Sequence, residues 1–380
     1  MTRIKIIFFI YELGSGGAAR TMLNIVNNID RNKYSPVLVT LNYNGDYEAH
    51  LQPDVLFVKL SKKRLRSAII PLAKVIRKER ADIVFSTIPN YNTIAILARL
   101  LSLTKAKNIV REAAYLGGTK KTDLKLRLYG ILYKFASHVI ALSEGVKENI
   151  VNRYKVAADK ITVIYNPVDI DRIQQSVEKG QIAKQHIGLF QRENPVIITA
   201  GRLVEDKDHK TLLYAFAKVR KRLNTILVIL GEGKLELDLK QLAHKLNVEK
   251  SVFFLGFQNN PYVYFKHADV FVLSSRREGF GHVLAEALAT GLPVVSTKAK
   301  PGAVEVLQNG MYGVLSEVED SEGLAENIYN ILIQSEEQTR NIVEQGKKRV
   351  NEFHVDDIIK QYEYVFESTI KRINIERDRS

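Results

Sequence analysis

Short apolar segments alternate with amphipathic helical segments along the whole chain. In the first half the apolar runs lie at 5–11, 37–41, 55–60, 81–87, 108–113 and 138–143. In the second half they lie at 195–201, 225–231, 252–256, 269–275 and 293–297. This alternation is typical of parallel sheets covered by helices on both faces. We therefore predict an α/β fold made of two tandem, Rossmann-like doubly wound units.

A chain of 380 residues is longer than one hydrophobic core usually supports. The polar segment from about 166 to 194, which begins with Asn-Pro-Val-Asp, interrupts the alternation. We place the domain boundary there, with one domain over 1–185 and the other over 186–354. Ligands of doubly wound folds bind outside the carboxyl ends of the strands, so we expect the site in a cleft between the domains.

Composition narrows the class of protein. The chain has no cysteine, which excludes disulfides, thiolate metal sites and a cysteine nucleophile, and which is compatible with the cytoplasm. The apolar runs are far shorter than the roughly 18–20 residues that span a bilayer, so we expect no membrane-crossing helix. The net charge of +14 belongs to the first half, where residues 1–185 carry 30 Lys and Arg against 15 Asp and Glu. This asymmetry indicates an anionic partner for the first domain.

Two basic segments carry much of this charge. Residues 59–80 hold nine Lys and Arg with one Glu, and residues 120–135 hold five Lys and Arg with one Asp. Apolar residues at helical spacing are predicted to face the core: Leu65, Ile69, Leu72 and Ile76, and Leu124, Leu128, Ile131 and Phe135. Three others are predicted to be exposed: Leu126, Tyr129 and Tyr133. The charges form either a solvated face or a surface for anionic lipid.

A glycine-rich turn follows the first predicted strand and leads into a helix, with the sequence GSGGAAR over 14–20. Glycines at such a turn let backbone N–H groups approach an anion, and the helix N-terminus adds a favourable dipole. The spacing differs from G-x-G-x-x-G. The turn is therefore either a phosphate contact or simply a tight connection.

Two cations follow the first strand of the second domain. Arg202 lies just past the end of the strand, and Lys207 comes five residues later, before a helix. Cations at the carboxyl end of a strand can neutralise a diphosphate and stabilise it as a leaving group. A solvated loop with Glu205 and Asp206 as counter-ions is the alternative, and spacing alone slightly favours it.

Two glutamates lie eight residues apart in the segment REGFGHVLAEALATGLPVV over 277–295. A helix from about Gly281 to Gly291 leaves Glu278 before the helix and Glu286 inside it. Eight residues at about 1.5 Å each separate the two backbones by roughly 12 Å. Hydrolases keep a carboxyl pair within about 5–9.5 Å, so we predict two separate contacts along one extended ligand.

These motifs together resemble the retaining glycosyltransferases of family 4, which have the GT-B fold. The resemblance rests on GGAAR (16–20), GRLVEDK (201–207), EGFGHVLAE (278–286) and GLPVVST (291–297), and extends to NPVD (166–169) and to 302–315. It covers nearly the whole chain. It implies a GT-B architecture with an acceptor-binding first domain, a donor-binding second domain and a last helix, about 355–380, that packs back on the first domain.

The resemblance also implies roles for particular residues. Arg202 and Lys207 would hold the donor diphosphate and assist its departure. Glu278 would meet the donor sugar together with the backbone of Gly279, Phe280 and Gly281.

Other contacts are implied by the same resemblance. Glu286 would accept hydrogen bonds from the ribose, and Gly16 and Gly17 would contact the phosphates. No metal or other cofactor is implied, because the cations take the role of a metal. The Asp169-Ile-Asp171 triplet belongs to the linker motif and is discounted as a metal site.

One position departs from the family. Many relatives place a histidine near the end of the strand that here reads IVREAAY, where it meets the donor sugar. In this chain Glu112 either substitutes for that contact or is an ordinary buried charge paired with Arg111. His282 lies beside the expected donor site and is a further, less favoured sugar contact.

The resemblance implies transfer of a sugar, with retention, from a UDP-hexose or UDP-N-acetylhexosamine to a glycan or lipid-diphosphate acceptor. Such an enzyme would act in cell-surface polysaccharide or glycolipid synthesis, peripheral on the inner, anionic face of the membrane. Two alternatives stay open, a nucleotide-sugar epimerase of the same fold and a non-enzymatic nucleic-acid-binding protein. The chain has no tryptophan and few aromatics in its basic runs, so we expect no nucleic-acid partner.

Overall fold

The computed structural model describes residues 3–14, 16–41, 45, 47–191 and 194–377, with side chains described as far as residue 371. The chain divides into two compact units. The first comprises Met1–Pro167 and Val355–Ser380, and the second comprises Val168–His354.

Strands and helices alternate in the first unit. Its strands are β1 (Ile4–Phe9), β2 (Tyr34–Thr40), β3 (Leu56–Lys59), β4 (Ile83–Thr87), β5 (Lys107–Glu112), β6 (His138–Ala141) and β7 (Ile161–Val163). Its helices are α1 (Gly17–Asn28), α2 (Ile69–Lys78), α3 (Pro89–Ser102), α4 (Lys120–Tyr133) and α5 (Glu144–Asn149). In the described residues these strands form a parallel sheet in the order β3-β2-β1-β4-β5-β6-β7. Helices cover both faces, so the central strands are largely buried, and every residue of β4 is buried.

The second unit repeats this plan. Its helices are α6 (Ile170–Lys179), α7 (Ile187–Phe190), α8 (His209–Arg222), α9 (Glu236–Lys245), α10 (Tyr262–Lys266), α11 (His282–Ala289), α12 (Gly302–Val306), α13 (Ser321–Ile333) and α14 (Glu336–Asn351). Its strands are β8 (Val196–Ala200), β9 (Ile226–Leu230), β10 (Val252–Phe254), β11 (Val270–Leu273), β12 (Val294–Thr297) and β13 (Val314–Ser316). They form a parallel sheet in the order β10-β9-β8-β11-β12-β13. The structure thus confirms the two predicted Rossmann-like α/β units.

The boundary between the units differs from the sequence-based expectation. It falls after Pro167, whereas the sequence places it near residue 185. Helix α6 packs on α10 and α11 of the second unit, and the Asn260 side chain donates to the Ser176 carbonyl at 2.7 Å. Although its sequence is mostly polar, this segment forms an amphipathic helix, and its apolar residues Ile170 and Ile173 are buried.

The last helix, α15 (Val355–Arg377), belongs to the first unit. Tyr362 and Phe366 are fully buried in the same core as Phe8 and Phe85. The ring of Phe366 lies 5.8 Å from that of Phe85, in a T-shaped arrangement. Aromatic packing of this kind joins the end of the chain to the central strands β1 and β4.

Helix α4 presents to solvent the face that the sequence predicts to be buried. Leu124, Leu128, Ile131 and Phe135 are 61%, 56%, 54% and 52% exposed. By contrast, Leu126 and Tyr133, which the sequence predicts to be exposed, are buried, and Tyr129 is half-buried. In the basic segment 59–80, which contains α2, the prediction is better, because Leu72 and Ile76 are buried and Leu65 and Ile69 are half-buried.

Gly130 explains the orientation of α4. A Cβ atom at this position would lie 1.8 Å from the carbonyl oxygen of Tyr154. Only a residue without a side chain allows the helix to approach the neighbouring backbone so closely. The face that carries Gly130 therefore has to point inward.

Replacing Gly130 with alanine should lower the free energy of unfolding by about 2–4 kcal/mol, because the clash is with backbone that cannot move aside freely. Urea denaturation measures the change. Gly188→Ala is the matched control, since a Cβ there has no neighbour within 4 Å and the change should be within about 0.5 kcal/mol. Equal stability of the Gly130→Ala variant and the parent protein would contradict this account of α4.

Candidate functional site

The two predicted cations lie in the loop between β8 and α8. Lys207 ends a short 3₁₀ turn over Glu205–Lys207, and Arg202 lies earlier in the same loop, exposed to solvent. Leu203 anchors the loop, because it is fully buried and donates its backbone N–H to the Glu232 carbonyl at 2.9 Å. The loop is therefore fixed at the carboxyl edge of the sheet.

Lys207 forms an ion pair with Glu278. Its Nζ donates to Glu278 Oε1 at 2.5 Å, and Ser275 Oγ donates to the same oxygen at 2.7 Å. The hydroxyl of Ser274 donates to the Lys207 carbonyl at 3.0 Å, which fixes the lysine backbone as well. The structure thus brings two of the predicted site residues together. The side chain of Arg202 makes no hydrogen bond or ion pair with the described residues.

The turn that carries Glu278 is built from close backbone contacts. The Glu278 carbonyl accepts the N–H of Gly302 at 2.9 Å, and a Cβ on Gly302 would lie 2.5 Å from the Phe280 backbone. The Phe280 ring is buried and packs in a T-shape on Phe353, with centroids 5.1 Å apart. Gly281, with φ of +86°, ends the turn and begins α11. These contacts fix the position of the Glu278 backbone.

Glu286 lies in the second turn of α11, away from the Glu278 turn. It is a buried carboxylate, and Tyr262 donates its hydroxyl to Glu286 Oε1 at 3.4 Å. The predicted start of the helix near Gly281 is correct, so Glu278 precedes the helix and Glu286 lies inside it. His282 opens α11, is half-buried, and packs its ring 5.5 Å from that of Phe280.

This arrangement combines cations with carboxylates along one edge of a parallel sheet. Lys207 and Arg202 follow β8, and Glu278 follows β11, the strand paired with β8. Cations at this edge can bind phosphate oxygens, and carboxylates can accept hydrogen bonds from hydroxyl groups. The second unit therefore has the chemistry to hold a phosphorylated polyol.

The glycine turn of the first unit lies at the N-terminus of α1. Gly16 is the N-cap of this helix, without a side-chain cap, and Gly17 is its first residue. Ser15, between Gly14 and Gly16, lies outside the described residues. Arg20 of the same motif donates its Nη2 to the Tyr47 hydroxyl at 2.5 Å. The turn thus leaves N–H groups of a helix N-terminus without a capping side chain.

Glu112 is fully buried and is held by neutral donors. Tyr133 donates its hydroxyl to Oε1, Asn92 Nδ2 donates to Oε1 at 3.1 Å, and Tyr154 donates to Oε2 at 3.2 Å. Burial raises the pKa of Glu112 to about 7, although the three hydrogen bonds favour the ionised form and oppose this shift. Of its two predicted roles, the geometry matches a buried charge, but one with partners that the sequence does not predict.

Arg111 does not pair with Glu112 in the described structure. Its Nε donates to the Tyr362 hydroxyl at 3.0 Å, Nη1 donates to Thr87 Oγ1 at 3.1 Å, and Nη2 donates to Asn166 Oδ1. Successive residues of a strand point to opposite faces of the sheet, so the two side chains diverge. The pairing with Arg111, one of the two alternatives for Glu112, is therefore wrong.

The aspartates of the linker motif have structural partners. Asp169 caps α6 by accepting the N–H of Arg172 at 3.0 Å, and Asp171 lies 3.7 Å from the His354 ring. Within the described ranges, no group of three or more His, Asp or Glu side chains is placed to hold a metal ion. The same ranges contain no helix with the length and apolarity needed to cross a bilayer.

The sequence does not predict the contacts of two residues of the candidate site. Ser275 follows β11, and its place in the sequence indicates only that a hydroxyl group lies near the carboxyl edge of the sheet. Tyr262 carries no signal, because 24 residues separate it from Glu286. Both are found only when the fold brings their elements together.

Two family models match the chain. The model for glycosyl transferases group 1 matches residues 181–349, and the model for Glycosyltransferase Family 4 matches residues 15–172. Each match coincides closely with one of the two units.

Curated relatives extend over most of the chain. A Campylobacter jejuni protein named N-acetylgalactosamine-N,N'-diacetylbacillosaminyl-diphospho-undecaprenol 4-alpha-N-acetylgalactosaminyltransferase is 31% identical over 342 residues, which are 86% of this chain and 90% of that protein. The Escherichia coli UDP-Gal:alpha-D-GlcNAc-diphosphoundecaprenol alpha-1,3-galactosyltransferase is 29% identical over 303 residues, or 76% of each chain. Both names describe sugar transfer to a lipid-linked diphosphate.

The fold also matches solved structures. Anabaena HepE in complex with UDP-glucose superimposes with a TM-score of 0.82 at 22% identity, covering 96% of this chain and 100% of HepE. At this identity the likeness shows the shared fold alone.

The raised pKa of Glu112 should make stability depend on pH. A glutamate in the unfolded chain ionises near pH 4.3, so the free energy of unfolding should fall as pH rises from about 4.5 to 7, by on the order of 3 kcal/mol. In Glu112→Gln this contribution is absent. The difference in free energy of unfolding between the two proteins, measured by denaturation at several pH values, should change over this window and level off above it. A difference that is constant from pH 4.5 to 8 would contradict the shift.

Proposed function

This chain belongs to the family 4 glycosyltransferases of the GT-B fold, and from that premise we propose that it uses a UDP-hexose or UDP-N-acetylhexosamine. The acceptor is a lipid-diphosphate-linked glycan, and the product serves cell-surface polysaccharide or glycolipid synthesis. The observation that carries the proposal is the ion pair of Lys207 with Glu278, beside the exposed Arg202, at the carboxyl edge of the second sheet. The acceptor class is supported by the names of the relatives, two of which specify a diphospho-undecaprenol.

In the proposed reaction, the bond between the anomeric carbon and the UDP oxygen breaks while the acceptor hydroxyl attacks the same face of the sugar. The new glycosidic bond keeps the anomeric configuration, and the leaving diphosphate takes the proton of the acceptor. Arg202 and Lys207 stabilise the negative charge that develops on the diphosphate, so the reaction needs neither a metal ion nor another cofactor.

The carboxylates have different roles in this proposal. Glu278 holds a hydroxyl of the donor sugar and keeps Lys207 in position, together with the backbone N–H groups of the Glu278–Gly281 turn. Glu286 accepts hydrogen bonds from the ribose, and Tyr262 orients its carboxylate. His282, at the start of α11, is a further sugar contact.

The first unit is proposed to receive the acceptor and also to contact the donor. Gly16 and Gly17 are proposed to offer backbone N–H groups to the phosphate oxygens of the donor at the start of α1. The excess of basic residues in this half attracts the lipid diphosphate and the anionic inner surface of the membrane, where the enzyme is proposed to act as a peripheral protein.

A thermal-shift screen of nucleotide sugars tests the proposed donor. At a concentration of about 100 times its Kd, a donor should stabilise the folded protein by roughly 2.7 kcal/mol, so the preferred UDP-sugar should raise the Tm by several degrees. The corresponding GDP- and ADP-sugars are the controls. A rise in Tm with these controls and none with any UDP-sugar would overturn the choice of nucleotide.

Incubation of the preferred donor alone, followed by analysis for an epimer, distinguishes a transferase from an epimerase.

Lys207→Ala should lower acceptor-dependent release of UDP by about 100-fold or more, because one of the two cations at the leaving group is lost. Lys210→Ala, an exposed lysine in the first turn of α8, is the matched control and should retain full turnover. The Tm of both variants without donor checks that the fold is intact. Unchanged turnover in Lys207→Ala would refute the role of this residue. A product whose anomeric proton signal shows the opposite configuration to that of the donor sugar would refute retention.

A further inference from the structure

An apolar stripe lies on the exposed side of α4 and its last turn. It consists of Leu124, Leu128, Ile131 and Phe135, each more than half exposed. The residues follow one another at intervals of four, three and four, so they form one continuous row on the helix. Monomeric soluble proteins rarely expose contiguous apolar surface of this kind without a binding partner.

Basic side chains border the stripe on both sides. At about 100° per residue, Lys121 and Lys125 lie on one side of the Leu124–Leu128 row, and Lys120 and Arg127 lie on the other. All four are exposed, and so is Lys134 at the end of the helix. Asp123, the acidic residue of this helix, pairs with Arg153 at 2.5 Å. The surroundings of the stripe are therefore strongly cationic.

Further exposed apolar residues lie at the end of α3. Arg99 Nη2 donates to the carbonyl of Phe135 at 2.8 Å and so joins the last turns of the two helices. Leu100, Leu101 and Leu103, which follow Arg99, are 37%, 49% and 85% exposed. Exposed Lys105 comes next in the chain. The end of α3, which this hydrogen bond joins to the last turn after α4, therefore also carries exposed leucines and a cation.

We propose that α4 is an interfacial membrane helix. The stripe enters the boundary between headgroups and acyl chains of an anionic phospholipid bilayer, and the bordering cations bind the lipid phosphates. The inference deepens the proposed function and rests on it, because it names the surface on which the enzyme meets the membrane that carries its acceptor.

The cations that border the stripe favour an anionic bilayer, rather than a second copy of the chain, as the partner of the stripe. A symmetric dimer through α4 would bring two identical sets of exposed cations together around the stripe, which is unfavourable. An anionic bilayer offers both an apolar interior for the leucines and negative charge at the depth of the lysines. This pattern of two cationic borders with an apolar centre matches a planar interface.

The absence of tryptophan from the sequence allows a site-specific test. Leu128→Trp places the only indole on the stripe, and Leu237→Trp places it at an equally apolar, exposed position in α9 of the second unit. With vesicles containing phosphatidylglycerol, the emission of the first variant should move to shorter wavelength and that of the second should not. A parallel flotation assay compares Leu128→Ser/Ile131→Ser with Leu237→Ser/Ile333→Ser, which replaces the same residue types at exposed positions. The first pair should lower vesicle partitioning about tenfold or more, and the second should leave it unchanged.

Three results would overturn the proposal. The first is failure of the parent protein to float with anionic vesicles. The second is equal flotation of the parent protein and the Leu128→Ser/Ile131→Ser variant, which would indicate electrostatic adsorption alone, and the third is a shift in the emission of Leu128→Trp with protein concentration in the absence of vesicles, which would indicate that a second copy covers the stripe. These assays contain no donor or acceptor. The donor-induced rise in Tm, measured on the same variants, therefore separates failure of this inference from failure of the proposed transferase function.

Discussion

Parallel pairing of the strands is the constraint on which the candidate site depends. Because β8 and β11 are parallel neighbours, their carboxyl ends meet at one edge of the sheet. The loops that follow them bring Lys207 to Glu278, although 71 residues separate the two in sequence. Gly231, which follows β9, allows the end of that strand to approach the end of β8. Its φ is +133°, and a Cβ atom there would lie 2.1 Å from the Gly201 carbonyl oxygen. The chemistry of the site is therefore a consequence of the topology.

The fold and the positions of the main candidate site residues could be predicted from the sequence, because each has a local signal. Runs of apolar residues fully buried on both faces identify the parallel strands, as at β1 and β8. The helix that carries Glu286 is bounded by Gly281 and Gly291, so its position relative to Glu278 follows from spacing alone. Local signals suffice where one element determines the geometry.

Other features could not be predicted, because they depend on contacts between distant elements. The partners of Glu112 come from three segments, α3, α4 and the turn that ends at Tyr154. No pattern within β5 indicates these partners, and the adjacent Arg111 suggests the wrong one. The boundary after Pro167 lies in the predicted 166–194 segment but before the division at residue 185, because the contacts of the polar helix α6 with α10 and α11 carry no signal in its sequence.

The buried Glu112 and the exposed stripe of α4 follow from the same arrangement. Tyr133 gives its hydroxyl to Glu112, and Gly130 lies against the Tyr154 backbone, so this face of α4 must point inward. Two residues along a helix differ in direction by about 200°, so Ile131 and Leu128 then point outward. A buried carboxylate without a cation is costly unless donors surround it, and this requirement holds Tyr133 in place. Hydrophobic periodicity alone gives the wrong face because a polar anchor and a close backbone contact, rather than the burial of leucines, determine the orientation of the helix.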